Sequence, residues 1–241
     1  HGNFIVCLVP KMDVQTEQIA GAEAVVRYHH KDLGIVDPGK YINLLEETKL
    51  SHYLDLYVFE EVCRTLHRWE IEDIPLIPVA VNFAGATLRQ ESVADRMLKI
   101  IEKYHVRCEY LEVEVSESGS DMNQEMLAET SSKIRKGNVR VILDHFGAKD
   151  SSFSILSLME FDALKLDKSL ITNIVGNSRS RIVAQAVIDI CRQLGASVEA
   201  AGVETQDQLN VLGELGCDHA QGVLFNKPIT IETFEVRYLR G

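Results

Sequence analysis

The chain has 241 residues, 46% of them apolar, and a formal net charge of -11. It is long enough for one large domain or two small ones with a sizeable core. The acidity, without any Lys/Arg-rich run, excludes a broad phosphate-backbone surface for nucleic acid, and no run reaches the roughly 18 apolar residues of a membrane span.

Residues 4–8 read as a strand closed by Pro10. The chain therefore starts in a strand, which suggests a domain excised from something longer. Residues 18–28 hold a second apolar run, interrupted by Gly21 and Glu23. Pro38-Gly39 opens a helix in which Tyr41, Leu44, Leu45 and Thr48 recur at helical spacing; Leu54, Val58, Val62 and Leu66 continue the pattern in the next helix. Residues 77–83 form a strand with Asn82 near its end. Residues 94–104 are helical by the spacing of Met97, Ile100 and Ile101. In a strand over 108–115, Glu112 and Glu114 alternate with Leu111, Val113 and Val115, and a helix over 123–135 follows.

Then comes Val139-Arg140-Val141-Ile142-Leu143-Asp144-His145-Phe146-Gly147. It reads as an apolar strand covered on both faces, as in a parallel sheet, stopped by an acid, an imidazole, an aromatic and a glycine. Residues 152–159 are a short helix, and 161–166 a strand carrying Lys165 and followed by Asp167. Residues 181–194 form an amphipathic helix with Ile182, Val183, Ala186, Val187 and Ile190 on one face. A strand over 196–203 precedes a helix over 206–215, striped by Leu209, Leu212 and Leu215 and ended by Gly216. A short strand over 220–224 and a helix over 231–238 close the chain.

Strands and helices alternate about eight times without linker or repeat, which argues for parallel strands joined by crossover helices. A closed (β/α)8 TIM-type barrel is the leading architecture for one domain of this length, roughly 250 residues being typical. A doubly wound open sheet is second, weakened by the lack of a glycine-rich phosphate loop. The five cysteines have no zinc or redox spacing and read as reduced thiols of a cytoplasmic core; no signal peptide is visible.

Glu23, Asn82, Glu114, Asp144 and Lys165 sit at or near the ends of apolar strand runs, and Glu204 and Gln221 in or just past two more. In a barrel such ends converge on one mouth. Taken singly, each has a bland reading: a solvated acid, a helix cap, a buried imidazole at His145, a surface ion pair at Arg27. Taken together, carboxylates and a carboxamide converging on one point call for a hard divalent cation such as Mg²⁺ or Mn²⁺.

Gly21-Ala22-Glu23-Ala24-Val25-Val26-Arg27 resembles the signature of the EAL domain, the cyclic-di-GMP phosphodiesterase module of bacteria. The resemblance continues in Pro38-Gly39-Lys40-Tyr41-Ile42, Glu46-Glu47-Thr48, Val81-Asn82, Glu114-Val115-Ser116-Glu117, Leu143-Asp144-His145-Phe146-Gly147, Leu164-Lys165-Leu166-Asp167, Ala201-Gly202-Val203-Glu204-Thr205 and Gln221-Gly222 before Lys227-Pro228. It implies a (β/α)8 barrel with one strand antiparallel, holding cyclic-di-GMP at its mouth. It also implies two divalent metals, Mg²⁺ or Mn²⁺, hydrolysis to the linear dinucleotide, a possible homodimer, and an upstream GGDEF or sensor domain. By matching positions, Glu23, Asn82, Glu114 and Asp144 are the first metal's ligands. Lys165 serves the attacking water and Glu117 steadies a loop. Arg27, Asp167, Glu204 and Gln221 line the dinucleotide site.

The departures from the family pattern bear on activity. Active members carry two consecutive aspartates where this chain has Asp144-His145, and a glutamate where it has Ala201. Both missing carboxylates serve the second metal. The following loop is altered, at Gly147-Ala148-Lys149-Asp150-Ser151-Ser152, and Val9 replaces a glutamine before Pro10. Histidine is a poor Mg²⁺ ligand and alanine is none. The expected function is a cyclic-di-GMP-binding or regulatory module with lost or strongly reduced hydrolysis. The alternatives are an active phosphodiesterase that uses His145 as a ligand, and an interaction module that binds no nucleotide. A glycosidase pair ranks last, because Glu114 and Glu117 are too close in sequence to face each other across a site.

Overall fold

Side-chain parity along the strands decides the architecture. In β5 (Leu111–Ser116), Leu111, Val113 and Val115 enter the main apolar core, while Glu112 and Glu114 turn to the other face and are also buried. In β6 (Arg140–Phe146), Val141 and Leu143 join that core, while Ile142 belongs to a separate cluster with Ala80 and Ala163. Two buried faces of different character mean a closed sheet: an apolar layer outside, under the helices, and a narrower, largely polar bore inside.

The computed structural model describes residues 3–31, 34–36, 39, 41, 44, 45, 48, 50–116, 124–148 and 151–240. The remaining strands are β1 (Phe4–Asp13), β2 (Ile19–His30), β3 (Gly34–Val36), β4 (Val79–Phe83), β7 (Ala163–Leu166), β8 (Ser197–Ala201), β9 (His219–Gln221) and β10 (Ile229–Thr230). The order β1-β9-β8-β7-β6-β5-β4-β2 closes on itself through the β1–β2 pairing. This is the expected eight-stranded barrel. β1 runs antiparallel to both neighbours, and every other pairing around the ring is parallel. β3 and β10 append antiparallel to β2 and β1.

Several sequence expectations are corrected. β1 does not stop at Pro10 but runs on to Asp13. Its second partner is β10 at Cys7 and Leu8 and β9 at Met12 and Asp13. Pro10 falls between these contacts, where a missing N–H costs no ladder bond. Residues 108–110 are a 3-10 turn, so β5 begins at Leu111. β6 continues through Asp144 and His145 to Phe146. Its inner face is not the apolar surface that the run of Val, Ile and Leu suggested.

The helix Ser178–Leu194 buries Ala184, Val187, Ile188 and Cys191, whereas Ile182 and Val183 are exposed. Its sequence contains two apolar stripes at helical spacing, and packing selects the smaller-residue one. The last helix is one turn, Ile231–Phe234, followed by a π turn at Glu235–Leu239. The helix expected at Pro38 lies largely outside the described residues.

Local signals hold the mouth in shape. In α1 (Ser51–Ile71), Asp55 accepts bonds from the Ala84 N–H and the Thr87 hydroxyl, clamping the turn after β4. Thr205 and Gln208 form a capping box that fixes the chain just past β8, and Gly216 ends that helix in the left-handed region at φ 79°. Gly222 lies against Val203 so closely that a Cβ would sit 2.1 Å from the Val203 carbonyl oxygen.

Candidate functional site at the barrel mouth

The parallel strands deliver their C-terminal ends to one rim. From that rim Asn82 Nδ2 donates to Glu23 Oε1 at 2.7 Å, and Gln221 Nε2 donates to Glu23 Oε2. Lys165 Nζ donates to Glu23 Oε2 at 3.1 Å and to Glu114 Oε1. Five of the residues singled out from sequence therefore form one bonded cluster. Asp144 adjoins it through the field of the Lys165 ammonium.

Asp144 makes its own contacts with the next residue. Its Oδ1 accepts the His145 N–H at 2.6 Å and its Oδ2 pairs with Nδ1 of the imidazole at 2.9 Å. The β6–β7 register shifts between Leu143 and Phe146, and His145 sits at φ 58°. An extra residue in the strand plus a left-handed backbone re-aims the side chain, as bulges beside functional sites do. The imidazole remains 54% exposed.

Burial and charge shape the protonation of the cluster. Burial and then the Glu23 charge push Glu114 well above the usual carboxylate range. Burial also opposes ionisation of Glu23 and Asp144, but Lys165 together with the hydrogen bonds from Gln221 to Glu23 and from His145 to Asp144 holds both below their ordinary values. Burial works against the Lys165 ammonium too; Glu114 and Glu23 overcome it and raise the amine well above its usual pKa. The hydrogen bond to Asp144 raises His145.

Other expected site residues bond to partners outside the cluster. Arg27 Nη1 donates to the Val26 carbonyl. Asp167 caps the short helix Lys168–Ile171 by accepting the Ser169 N–H, the bland role foreseen for a strand-end acid. Glu204 pairs with Lys168 in an exposed ion pair. Glu117 and the loop positions Lys149 and Asp150 lie outside the described residues.

Among the described residues no group of three or more His, Cys, Asp or Glu stands as a ready-made metal cage. The reason is visible: Lys165 occupies the position between the carboxylates. The donors nevertheless suit one hard cation. Glu23, Glu114, Asp144 and Asn82 present oxygens, three carboxylates share one ammonium, and Glu114 Oε2 is buried without a hydrogen bond. At the two positions that the family resemblance ties to a second metal, this chain carries His145 and Ala201.

Beneath this cluster is a second one that sequence reading missed. Lys11 Nζ donates to Glu112 Oε2 at 2.7 Å and Glu199 Oε1 at 2.6 Å, and Arg140 donates to Glu112 Oε1 at 2.7 Å. Burial opposes the Lys11 charge, and Glu199 and then Glu112 raise its pKa nonetheless. Strand parity was the available signal for Glu112, since it shares a face with Glu114. Nothing local marks Lys11 or Glu199.

The chain matches the EAL domain family model over residues 1–228. It is 30% identical over 226 residues to the Pseudomonas aeruginosa protein called cyclic di-GMP phosphodiesterase PA2567, covering 94% of this chain and 38% of the relative. It is 31% identical over 232 residues to the same organism's cyclic di-GMP phosphodiesterase NbdA, covering 96% and 30%. The chain thus spans about a third of the length of these curated relatives. The solved structure of the PaMucR phosphodiesterase in complex with c-di-GMP superposes with a TM-score of 0.89 at 25% identity, covering 96% of this chain and 94% of that one. The Xanthomonas citri FimX EAL domain in complex with c-diGMP, at 18% identity and a TM-score of 0.86 over 95% and 89%, shares the fold. No described helix is long and apolar enough to cross a membrane. With a family match across most of its length and the matching barrel, this chain belongs to the EAL domain family.

Proposed function

We propose that the protein is a cyclic-di-GMP-binding or regulatory module in which hydrolysis is lost or strongly reduced. The observation that carries this reading is that an imidazole, not a second carboxylate, follows Asp144 on the rim and turns its Nδ1 onto Asp144. Ala201, at the end of β8, two strands along the barrel from β6, adds no donor.

In this reading Glu23, Asn82, Glu114 and Asp144 hold one Mg²⁺ or Mn²⁺. A pair of such ions is what activates water and neutralises charge in phosphodiester cleavage. Arg27 meets a ligand phosphate, and Asp167, Glu204 and Gln221 line the remainder of the site. Gln221 Oε1 is buried without a partner, an acceptor left open toward a ligand. Lys165 neutralises the mouth and would orient a water there, with Glu117 steadying the adjacent loop. A homodimer and an upstream GGDEF or sensor domain belong to the same proposal, which makes this module part of a longer signalling protein.

A second reading, an active phosphodiesterase, draws on a different feature of His145. Donation from Nδ1 to a carboxylate is how ligating imidazoles are commonly oriented, and His145 Nδ1 pairs with Asp144 in this way. One experiment separates the two. The protein is mixed with cyclic-di-GMP and Mg²⁺ or Mn²⁺, and binding and linear product are measured in the same samples. Binding without product supports the receptor reading; turnover at rates normal for the family overturns it. Turnover with Mn²⁺ that His145→Ala abolishes supports the second reading.

A further inference from the structure

We infer that Glu199 is a second seat for the Lys165 ammonium: when a cation enters the mouth, Lys165 leaves Glu23 and Glu114 and docks on Glu199. The inference rests on the cation part of the function proposed above.

Lys165 and Glu199 are register partners on the adjacent parallel strands β7 and β8, and each is 3% exposed. Yet Lys165 bonds upward, to Glu23 and Glu114, and not to its neighbour. Glu199 has room for it. Its Oε1 accepts from Lys11, but Oε2 is buried and accepts from nothing among the described residues. Glu112 is already occupied, with Oε2 taken by Lys11 and Oε1 by Arg140. The lower cluster thus offers one open carboxylate oxygen, on the strand beside Lys165.

A cation bound by Glu23, Glu114, Asp144 and Asn82 competes with Lys165 for the same oxygens and repels its charge. The ammonium is buried, so it needs a negative partner within the bore. Glu114 Oε2 belongs to the cation's own donor set, and Gln221 Oε1 is neutral and beside Glu23. Glu199 is a carboxyl group with an open oxygen, one strand away. A lysine stem moves its head group by side-chain rotation alone, so the barrel need not move. Lys165 remains an ammonium throughout, and the change is one of partner.

The test is Mn²⁺ affinity by calorimetry on the wild type, Glu199→Gln, Lys165→Met and the double variant. Glutamine keeps an oxygen for Lys11 but presents N–H where Oε2 stands. Glu199→Gln is expected to weaken Mn²⁺ binding about tenfold, the ordinary size of a coupling between sites. In the Lys165→Met background, with no ammonium to relocate, the same substitution is expected to change nothing. Equal affinity of wild type and Glu199→Gln overturns the inference. So does an equal loss in both backgrounds, which would mark a structural role. Failure of the wild type to bind Mn²⁺ overturns this inference together with the cation reading, whereas wild-type binding untouched by Glu199→Gln overturns this inference alone. A crystal of the Mn²⁺-loaded protein is expected to place Lys165 Nζ on Glu199; an ammonium still on Glu23 and Glu114 overturns the inference.

Discussion

Asp144 and His145 are bonded to each other twice, through the backbone N–H at 2.6 Å and through Nδ1 at 2.9 Å. Both Asp144 oxygens thus have a partner in the adjacent residue, beside the shifted register of β6.

Restoring the missing carboxylates reverses that arrangement. The double change His145→Asp with Ala201→Glu is expected to raise cyclic-di-GMP turnover by about 100-fold or more, since a recovered metal contact lowers the barrier by several kcal/mol. Linear dinucleotide production in Mg²⁺ and in Mn²⁺ measures it. Turnover unchanged in both metals would count against the account of the second site.

Among the described residues, Lys165 is the one cation bonded to Glu23 and Glu114. Lys165→Met strands two buried carboxylates, a loss of about 3 kcal/mol in metal-free buffer. Thermal melts are expected to show a lower Tm without metal and recovery when Mn²⁺ is added. A Tm that falls equally in both conditions would show that the lysine stem, not its charge, is what matters.

The lower cluster gives a contrasting pair of variants. Lys11→Met leaves Glu199 without its ammonium and is expected to cost about 3–5 kcal/mol. Adding Glu199→Leu removes the stranded charge, and well-packed apolar replacements of buried ion pairs are tolerated, so the double variant should regain most of the loss. Urea midpoints of the two proteins decide this, and a double variant no better than the single one would contradict it.

Glu235 predicts acid sensitivity. It is buried, accepts the Trp69 indole N–H at 2.8 Å and pairs with Arg68. Burial pushes its pKa up, but Arg68 and Trp69 outweigh that and hold it below the ordinary value. A depressed carboxylate stabilises the fold above its unfolded pKa of roughly 4.3, and that stabilisation is lost as pH falls through the folded value. Glu235→Gln should therefore be less stable at neutral pH by about 1–3 kcal/mol and show a flatter stability profile below about pH 4. Parallel profiles for the two proteins would refute it.

Much of this molecule is legible along the chain. The alternation of strand and helix implies the barrel, and each mouth residue announces itself as a polar side chain where an apolar run ends. Glu23, Asn82, Glu114, Lys165 and Gln221 need only that pattern to be found, because strand ends in a parallel barrel must meet. The apolar stripe of the helix Ser178–Leu194 was less legible, because two stripes share one helical period and only packing chooses between them.

Residue order thus determined the fold class and which side chains reach the rim. Only the closed barrel decided that Lys11 spans the bore to Glu112 and Glu199, residues 101 and 188 positions away in the chain. It also decided that Lys165 sits between Glu23 and Glu114, and that His145 folds back on Asp144. Parity tells a residue which face it occupies, but the partner it meets across the bore depends on how the strands close and stagger, and no local pattern encodes that geometry.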